Sequence, residues 1–215
     1  MTVPERSRPR KAARDERRRQ LIEATIDVLA KRGYASLTIS DVSRRAGLSM
    51  GIVNFHFDSK AALLGDTLKY LAVRYRDNWT AAVKQAGDDP AARLYAMTSA
   101  DFGEDFCTLR TLQAWVSFWA EAQSRPAYDE MYGDEEAEYL RTLEAMCADM
   151  SRHGNYHRPQ SGKLDARVIN ALTDGLWVAL AHTPPGITRS QALNALHNCL
   201  AAFYPAHFDA NGPVN

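Results

Sequence analysis

Apolar positions recur at helical spacing along most of the chain, and no segment shows the clear alternation that is typical of a strand. The pattern predicts an all-α protein of about nine helices. After a first group of short helices, longer ones are expected over 59–86, from 90 onward, over 109–124, 126–153, 163–182 and 188–204.

Two short helices joined by a tight turn are predicted between Thr38 and Lys60. Thr38 and Asp41 have the spacing of a capping box, and Ser49 can cap the second helix. Gly47 suits the left-handed conformation that ends the first. An ordinary helical hairpin is the alternative, but the layout is that of a helix-turn-helix, whose second helix enters the DNA major groove.

The distribution of charge favours the DNA-binding interpretation. Residues 1–60 hold 13 Lys and Arg against 7 Asp and Glu, whereas the rest holds 13 against 19. The formal net charge of zero therefore conceals a basic front and an acidic back. Such asymmetry predicts a polyanionic partner for the front.

Candidate DNA contacts follow from this reading. Thr38 and Lys60 stand at helix starts and are expected to touch phosphate, as are the arginines of the first helix. Gly51 would let the backbone approach the groove, and Asn54 could read adenine or a phosphate. The full set is Arg17, Arg18, Thr38, Ser49, Met50, Gly51, Asn54, His56 and Lys60.

Residues 17–64 resemble the N-terminal domain of the TetR family of bacterial transcriptional repressors. The motifs are QLIEA at 20–24, GY at 33–34, LTI at 37–39, AGLS at 46–49 and SKAAL at 59–63. One position departs from the family, which usually has Tyr where this chain has Asn54. The phosphate contact of that Tyr is then lost, or is taken over by Asn54 or His56.

Aromatic residues and one acid mark a candidate ligand site in the second part of the chain. Trp115 and Trp119 share a helix face and Phe118 lies beside them, while Asp174 and Trp177 share a face of a later apolar helix. Aromatics dominate cores, so ordinary packing is one interpretation. A cage for a cation is the other, because aromatic faces attract quaternary ammonium and an acid in an apolar helix needs a partner.

A narrower resemblance connects these residues to a ligand. The runs QAWVSFWA at 113–120, followed by Arg125 and Pro126, DGLW at 174–177 and MGIV at 50–53 resemble BetI-type repressors. The resemblance implies control of the genes that convert choline into glycine betaine, with choline as the effector that weakens repression. A regulator of multidrug type, responding to another small or lipophilic cation, is the alternative.

The stretches 164–181 and 189–203 are apolar on more than one face, which predicts burial against a partner subunit. The resemblance likewise implies a homodimer through these two helices. Its two recognition helices would reach successive major grooves about 34 Å apart, so the operator should be palindromic. Filling of the cage is expected to move the helix at 109–124 against the connector at 60–86.

The expected organisation has four parts. They are a basic disordered arm (1–12), the helix-turn-helix domain (13–60), the effector-binding and dimerisation domain (61–207) and a flexible tail (208–215). No apolar segment reaches membrane-spanning length, and the basic N-terminus lacks the apolar core of a signal peptide, so a cytoplasmic protein is expected.

Catalytic signatures are absent from the sequence, so an enzyme of unknown activity is only a remote alternative. His153 and His157 are four apart, but Gly154 and Asn155 between them predict a surface loop rather than a metal site. No cofactor is expected.

Overall fold

The computed structural model describes residues 8–122, 126–156, 161–182, 184 and 186–214. Nine α-helices account for most of them, which confirms the all-α prediction. They are α1 (Arg8–Ser36), α2 (Ile39–Ala46), α3 (Met50–His56), α4 (Lys60–Gln85), α5 (Pro90–Ser99), α6 (Leu109–Ala122), α7 (Pro126–His153), α8 (Ser161–Ala181) and α9 (Arg189–Phe203). A short 3₁₀ turn, Ala100–Phe102, follows α5.

Helices α1–α3 form a small head around one apolar core. Gly33 breaks α1 near its end with a φ of 73°, and Gly47 ends α2 with a φ of 66°, as its sequence context predicts. Val42, Val53 and Phe57 are buried between the three helices. Since α3 is too short to be stable alone, this burial is what holds it in place.

Thr38 and Asp41 cap the start of α2, as predicted. The Thr38 hydroxyl accepts from the Asp41 N–H at 3.1 Å. The Asp41 carboxylate accepts from the Thr38 hydroxyl at 2.7 Å and from Arg32 at 2.9 Å. Hydrogen bonds from the side chain and the backbone of Thr38 lower the pKa of this carboxylate. The box predicted between Thr188 and Gln191 is complete.

Helices α4–α9 form the body. The connector α4 packs on α1, α5 and α7, and α7 lies along α8. Helix α6 packs chiefly against α1 and α8, and it reaches the connector through the ring contact of Trp115 with Tyr75 at 6.2 Å. Helix α6 is thus joined to the head more directly than the sequence suggested.

Both ends of the chain differ from the expectation. Helix α1 begins at Arg8, inside the predicted disordered arm, while residues 1–7 lie outside the described part. Residues 208–214, expected to be a flexible tail, contain the antiparallel strands β1 (Phe208–Asp209) and β2 (Gly212–Pro213). The buried ring of Phe208 fixes this hairpin, whose strands are too short to show a pattern. No helix in the described ranges is long and apolar enough to cross a membrane.

Candidate DNA-binding surface and aromatic pocket

The recognition helix α3 turns one face outward. Met50, Gly51 and Asn54 are exposed, together with the cap Ser49, whose hydroxyl accepts from the Ile52 N–H at 3.4 Å. These four candidates therefore lie on one accessible surface, as a helix that enters a groove requires.

Phe55 is a surface residue that the sequence reasoning missed. Its side chain is 71% exposed on α3, and the guanidinium of Arg14 lies 5.6 Å from the ring centre. An exposed aromatic ring can make apolar contact with the methyl group of thymine, and the arginine adds positive charge beside it. The sequence could have indicated this residue, because α3 and its C-terminal cap contain two phenylalanines. The small core of the head buries one of them, Phe57, and leaves Phe55 exposed.

His56 is less accessible than expected for a DNA contact. It is half-buried, and its Nδ1 atom has no hydrogen-bond partner among the described residues. Burial lowers its pKa, and the positive charges of Arg14 and Arg18 lower it further. The imidazole is therefore neutral at neutral pH and offers no charge to phosphate.

The two predicted contacts on α1 differ in their surroundings. Arg17 is exposed and donates to Gln20 at 2.8 Å, which leaves its guanidinium on the surface. Arg18 instead pairs with Asp66 of α4 and lies over the ring of Phe57, 5.1 Å from its centre. In this structure Arg18 ties the head to the connector.

Lys60 and Thr38 also make contacts within the chain. The Lys60 ammonium donates to the carbonyls of Tyr34 and Ala35, both at 3.4 Å, at the broken end of α1. Thr38 is exposed while its hydroxyl caps α2. Thr38 lies at the surface of the head, and Lys60, the first residue of α4, joins the connector to the end of α1.

An aromatic pocket opens in the body between α4, α6, α7 and α8. Its volume is about 50 Å³. Six aromatic rings and four polar side chains form its wall, and we call this set the aromatic pocket: Tyr75, Trp115, Trp119, Tyr132, Tyr139 and Trp177 with Glu136, Asn170, Thr173 and Asp174.

Four of the five predicted effector residues meet in this pocket. Trp119 stacks on Trp177 with ring centres 5.9 Å apart and an angle of 21°, and Trp115 lies 6.5 Å from Trp177. Asp174 stands beside them. Phe118 is the exception, since it is buried on another side of α6 and meets Tyr34 of α1 edge-on at 5.8 Å.

Two acidic side chains give the pocket a negative rim. Asp174 stands at the solvent-facing edge and accepts from Asn170 at 2.9 Å. Neighbouring groups exclude enough water to raise its pKa to about 6, and the charge of Glu136 raises it as well. A cation that enters the pocket would stabilise the ionised form of Asp174, which the empty site disfavours.

Six wall residues were not identified from the sequence, namely Tyr75, Tyr132, Glu136, Tyr139, Asn170 and Thr173. Tyr75 comes from the connector and three others from α7, so only tertiary packing brings them to the tryptophans of α6. Asn170 lies four residues before Asp174 and Thr173 four before Trp177, so the spacing of the later helix could have indicated them.

The described residues contain no cluster of histidine, cysteine and acidic side chains suited to a metal ion. His157, one member of the histidine pair considered above, lies outside the described ranges.

Both parts of the chain match known protein families. Residues 21–67 match the family of bacterial regulatory proteins of the tetR type, and residues 90–205 match the C-terminal domain of BetI-type transcriptional repressors. The chain belongs to the TetR family and has the BetI-type C-terminal domain. It is thus a DNA-binding transcriptional repressor, and its relatives are regulators rather than enzymes.

Individual relatives agree with this assignment. The HTH-type transcriptional regulator BetI of Yersinia pestis (strain Pestoides F) is 32% identical over 85% of this chain and 89% of its own length. A transcriptional regulator from Pseudomonas aeruginosa PAO1 has a similar structure, with a TM-score of 0.76 and 25% identity over 89% of this chain and 91% of its own. A regulator from Saccharomonospora viridis, solved in complex with choline, shares the fold with a TM-score of 0.75 at 22% identity, over 86% and 96% of the two chains.

Proposed function

We propose that this repressor binds a palindromic operator as a homodimer and is released from it by choline or a closely related quaternary ammonium compound, which binds in the aromatic pocket. The genes under control would be those for making glycine betaine from choline. The observation that carries the proposal is the aromatic pocket itself, with six rings around a small cavity and two acids at its wall.

The chemistry of the pocket suits a small cation. Each aromatic face attracts a quaternary ammonium group by about 0.5–2 kcal/mol, more when water is excluded. Glu136 and Asp174 add complementary negative charge. The names of the relatives support the same ligand, because they are BetI regulators and a structure of this fold was solved with choline.

The size of the cavity favours a small effector over the multidrug alternative. Pockets for drug-sized molecules commonly have roughly 300–1,000 Å³. The aromatic pocket has about 50 Å³. A broad-specificity regulator would need its walls to move apart, and the stacked Trp119 and Trp177 form one of those walls.

An apolar stripe on α8 supports the homodimer. Its members recur at alternating intervals of four and three residues, the spacing of a helix seam that packs on another helix. All are exposed in the single chain, and they are Leu164, Val168, Ala171, Gly175 and Val178. The stripe lies on a different face of α8 from the residues of the aromatic pocket.

The coupling from pocket to head would pass through α6. Trp115 and Trp119 lie on this helix, and its first turn carries Arg110, which bonds to Asp27 and Glu23 of α1. A ligand that shifts α6 therefore pulls on the head through α1. The ligand must bind the DNA-incompetent arrangement more tightly than the competent one, or it shifts nothing.

The test is a pair of calorimetric titrations with choline, one of the free dimer and one of the dimer on an operator selected from random duplex DNA. We expect weaker choline binding on the operator, by the same factor by which choline weakens operator binding, because coupling is reciprocal. Glycine betaine, which has the same ammonium group but adds a carboxylate, should bind poorly against the acidic rim. Equal choline affinities in the two titrations would contradict the proposal.

A further inference from the structure

A buried carboxyl group lies directly behind the wall of the aromatic pocket. It belongs to Asp101, in the 3₁₀ turn after α5, and the residue has 0% exposure. The turn is held in place through its backbone. Trp177 donates to the Asp101 carbonyl at 3.1 Å, and Asn78 donates to the carbonyl of Ala100 at 3.0 Å.

Two tyrosine hydroxyls separate this carboxyl from the cavity. Tyr139 donates to Asp101 Oδ2 at 3.3 Å, and the Tyr75 hydroxyl bonds to the same carboxyl group. Both rings line the aromatic pocket. The second oxygen, Oδ1, has no hydrogen-bond partner among the described residues. Asp101 is therefore one layer of side chains away from the place where a ligand would sit.

The surroundings of Asp101 disfavour a negative charge in the empty protein. Burial raises its pKa to about 8, and the charge of Asp174 acts in the same direction, while the two hydroxyls partly oppose it. The nearest guanidinium on α9, that of Arg189, bonds to the Phe102 carbonyl and to Glu104 instead. The titratable groups that influence Asp101 or respond to its charge are Tyr75 on α4, Cys107 before α6, Tyr139 on α7 and Asp174 on α8.

We propose that Asp101 is an inner counter-ion of the aromatic pocket, a neutral carboxylic acid when the pocket is empty that gives up its proton to the solvent when a cation enters. The O–H bond of the acid breaks, the electron pair stays on the carboxylate, and the proton goes to the buffer. The inference rests on the proposed function, because it assumes that the ligand of this pocket is a cation.

In this arrangement the affinity of the pocket for a ligand depends on the charge of that ligand. A cation in the cavity favours the ionised form of Asp101, so binding and proton loss strengthen each other. An uncharged molecule of the same shape gains nothing from this step. Cation affinity should rise by up to about tenfold per pH unit wherever the acid is protonated in the free protein and ionised in the complex, and should level off above its free pKa.

The experiment is calorimetric titration of the full-length dimer with choline at about pH 7, in buffers of different ionisation enthalpy. The dependence of the measured heat on the buffer gives the number of protons released. We expect close to one proton per site for choline and none for 3,3-dimethylbutanol, its uncharged analogue. Asp101→Asn should bind choline more weakly without releasing a proton.

Asp174→Asn separates the two acids. It should also weaken choline binding, but most of the proton release should remain, because Asp174 is largely ionised at that pH and burial is the larger cause of the raised pKa of Asp101. Choline binding without proton release by the unmodified protein would overturn the inference and leave the proposed function intact. Release that persists in Asp101→Asn would overturn it too. Failure of both choline and tetramethylammonium to bind would overturn both. The titration of the unmodified protein decides the matter even if a variant does not fold.

Discussion

The guanidinium of Arg110 on α6 and the carboxylate of Asp27 on α1 form an ion pair that joins a wall of the aromatic pocket to the DNA-binding head. Asp27 also accepts from Arg45 of α2 at 2.6 Å, and Arg110 also bonds to Glu23 at 2.7 Å. A continuous line of charged contacts therefore runs from the first turn of the pocket helix to the helix-turn-helix. These bonds outweigh the cost of burial and hold the pKa of Asp27 below its usual value.

Replacing Arg110 with Met should uncouple the pocket from the head. The methionine keeps much of the apolar stem but removes the bonds to Asp27 and Glu23, so choline should still bind while its effect on operator affinity shrinks towards none. Partly buried charged hydrogen bonds of this kind are worth on the order of 1–3 kcal/mol, so some loss of stability is expected as well.

The matched control is Arg152→Met, because Arg152 makes an exposed pair with Asp149 on α7, away from the head. Operator affinity with and without saturating choline, measured by fluorescence anisotropy, gives the coupling directly. Arg110→Met with the coupling of the unmodified protein would show that another contact carries the signal.

Truncating Trp119 to Ala should weaken choline binding selectively. The ring is half-buried, faces the cavity and stacks on Trp177, so its loss removes one aromatic face from the cation. We expect a loss of about 1–2 kcal/mol in choline affinity, measured by calorimetry. Operator affinity in the absence of choline should not change.

Phe55→Ala is the reciprocal variant. The ring is 71% exposed on the recognition helix and far along the chain from the pocket, so its removal should spare both folding and choline binding. Operator affinity should fall by about 1 kcal/mol if the ring contacts thymine methyl groups. If Trp119→Ala and Phe55→Ala each weakened choline binding and operator binding to the same extent, the pocket and the recognition surface would not be independent.

Introducing a charge into the stripe on α8 should break the dimer. Val168 is 41% exposed in the single chain and stands in the middle of the stripe, so Val168→Glu places a carboxylate where an apolar partner is proposed. Sedimentation should then show monomers at concentrations where the unmodified protein is dimeric. Gln85→Glu adds one negative charge at an exposed position of α4 and should leave the dimer intact.

Asp101 should make stability fall as pH rises. Its pKa is raised to about 8 in the folded protein from an ordinary value of 3.8, so its stabilising effect is complete below about pH 4 and is lost as the pH approaches 8. Asp101→Asn lacks this titration. Relative to the unmodified protein, the variant should therefore gain stability between about pH 5 and pH 8, by up to several kcal/mol.

Thermal unfolding of both proteins across this range measures the difference. The acids with lowered pKa values, Glu23, Asp27 and Asp41, act at lower pH and cancel between the two proteins. A constant difference in Tm over the whole range would mean that Asp101 does not titrate there.

Local signals account for what the sequence predicted well. Asp89 before Pro90, Ser59 before Lys60 and the box at Thr188 each satisfy free backbone groups at a helix start, and these helices begin where expected. Such signals act within a few residues, so the sequence alone is sufficient to read them.

The aromatic pocket could be predicted only in part, because its walls come from helices distant in the chain. Trp115 and Trp119 share a face of α6, but their spacing does not indicate where around this face the cavity lies. Phe118, one residue from Trp119, lies on the side that meets Tyr34 instead. Asp101 has no local pattern at all, since its role depends on tyrosines contributed by α4 and α7.

Two faces of helix α8 have different roles. One face supplies Thr173, Asp174 and Trp177 to the aromatic pocket, and another carries the exposed apolar stripe. A substitution on α8 that changes which ligand binds can therefore also disturb the proposed contact between the two subunits. Relatives that acquire new effectors are therefore expected to diverge first at α4 and α7, which carry no part of the apolar stripe, and α8 should be the most slowly changing wall of the site.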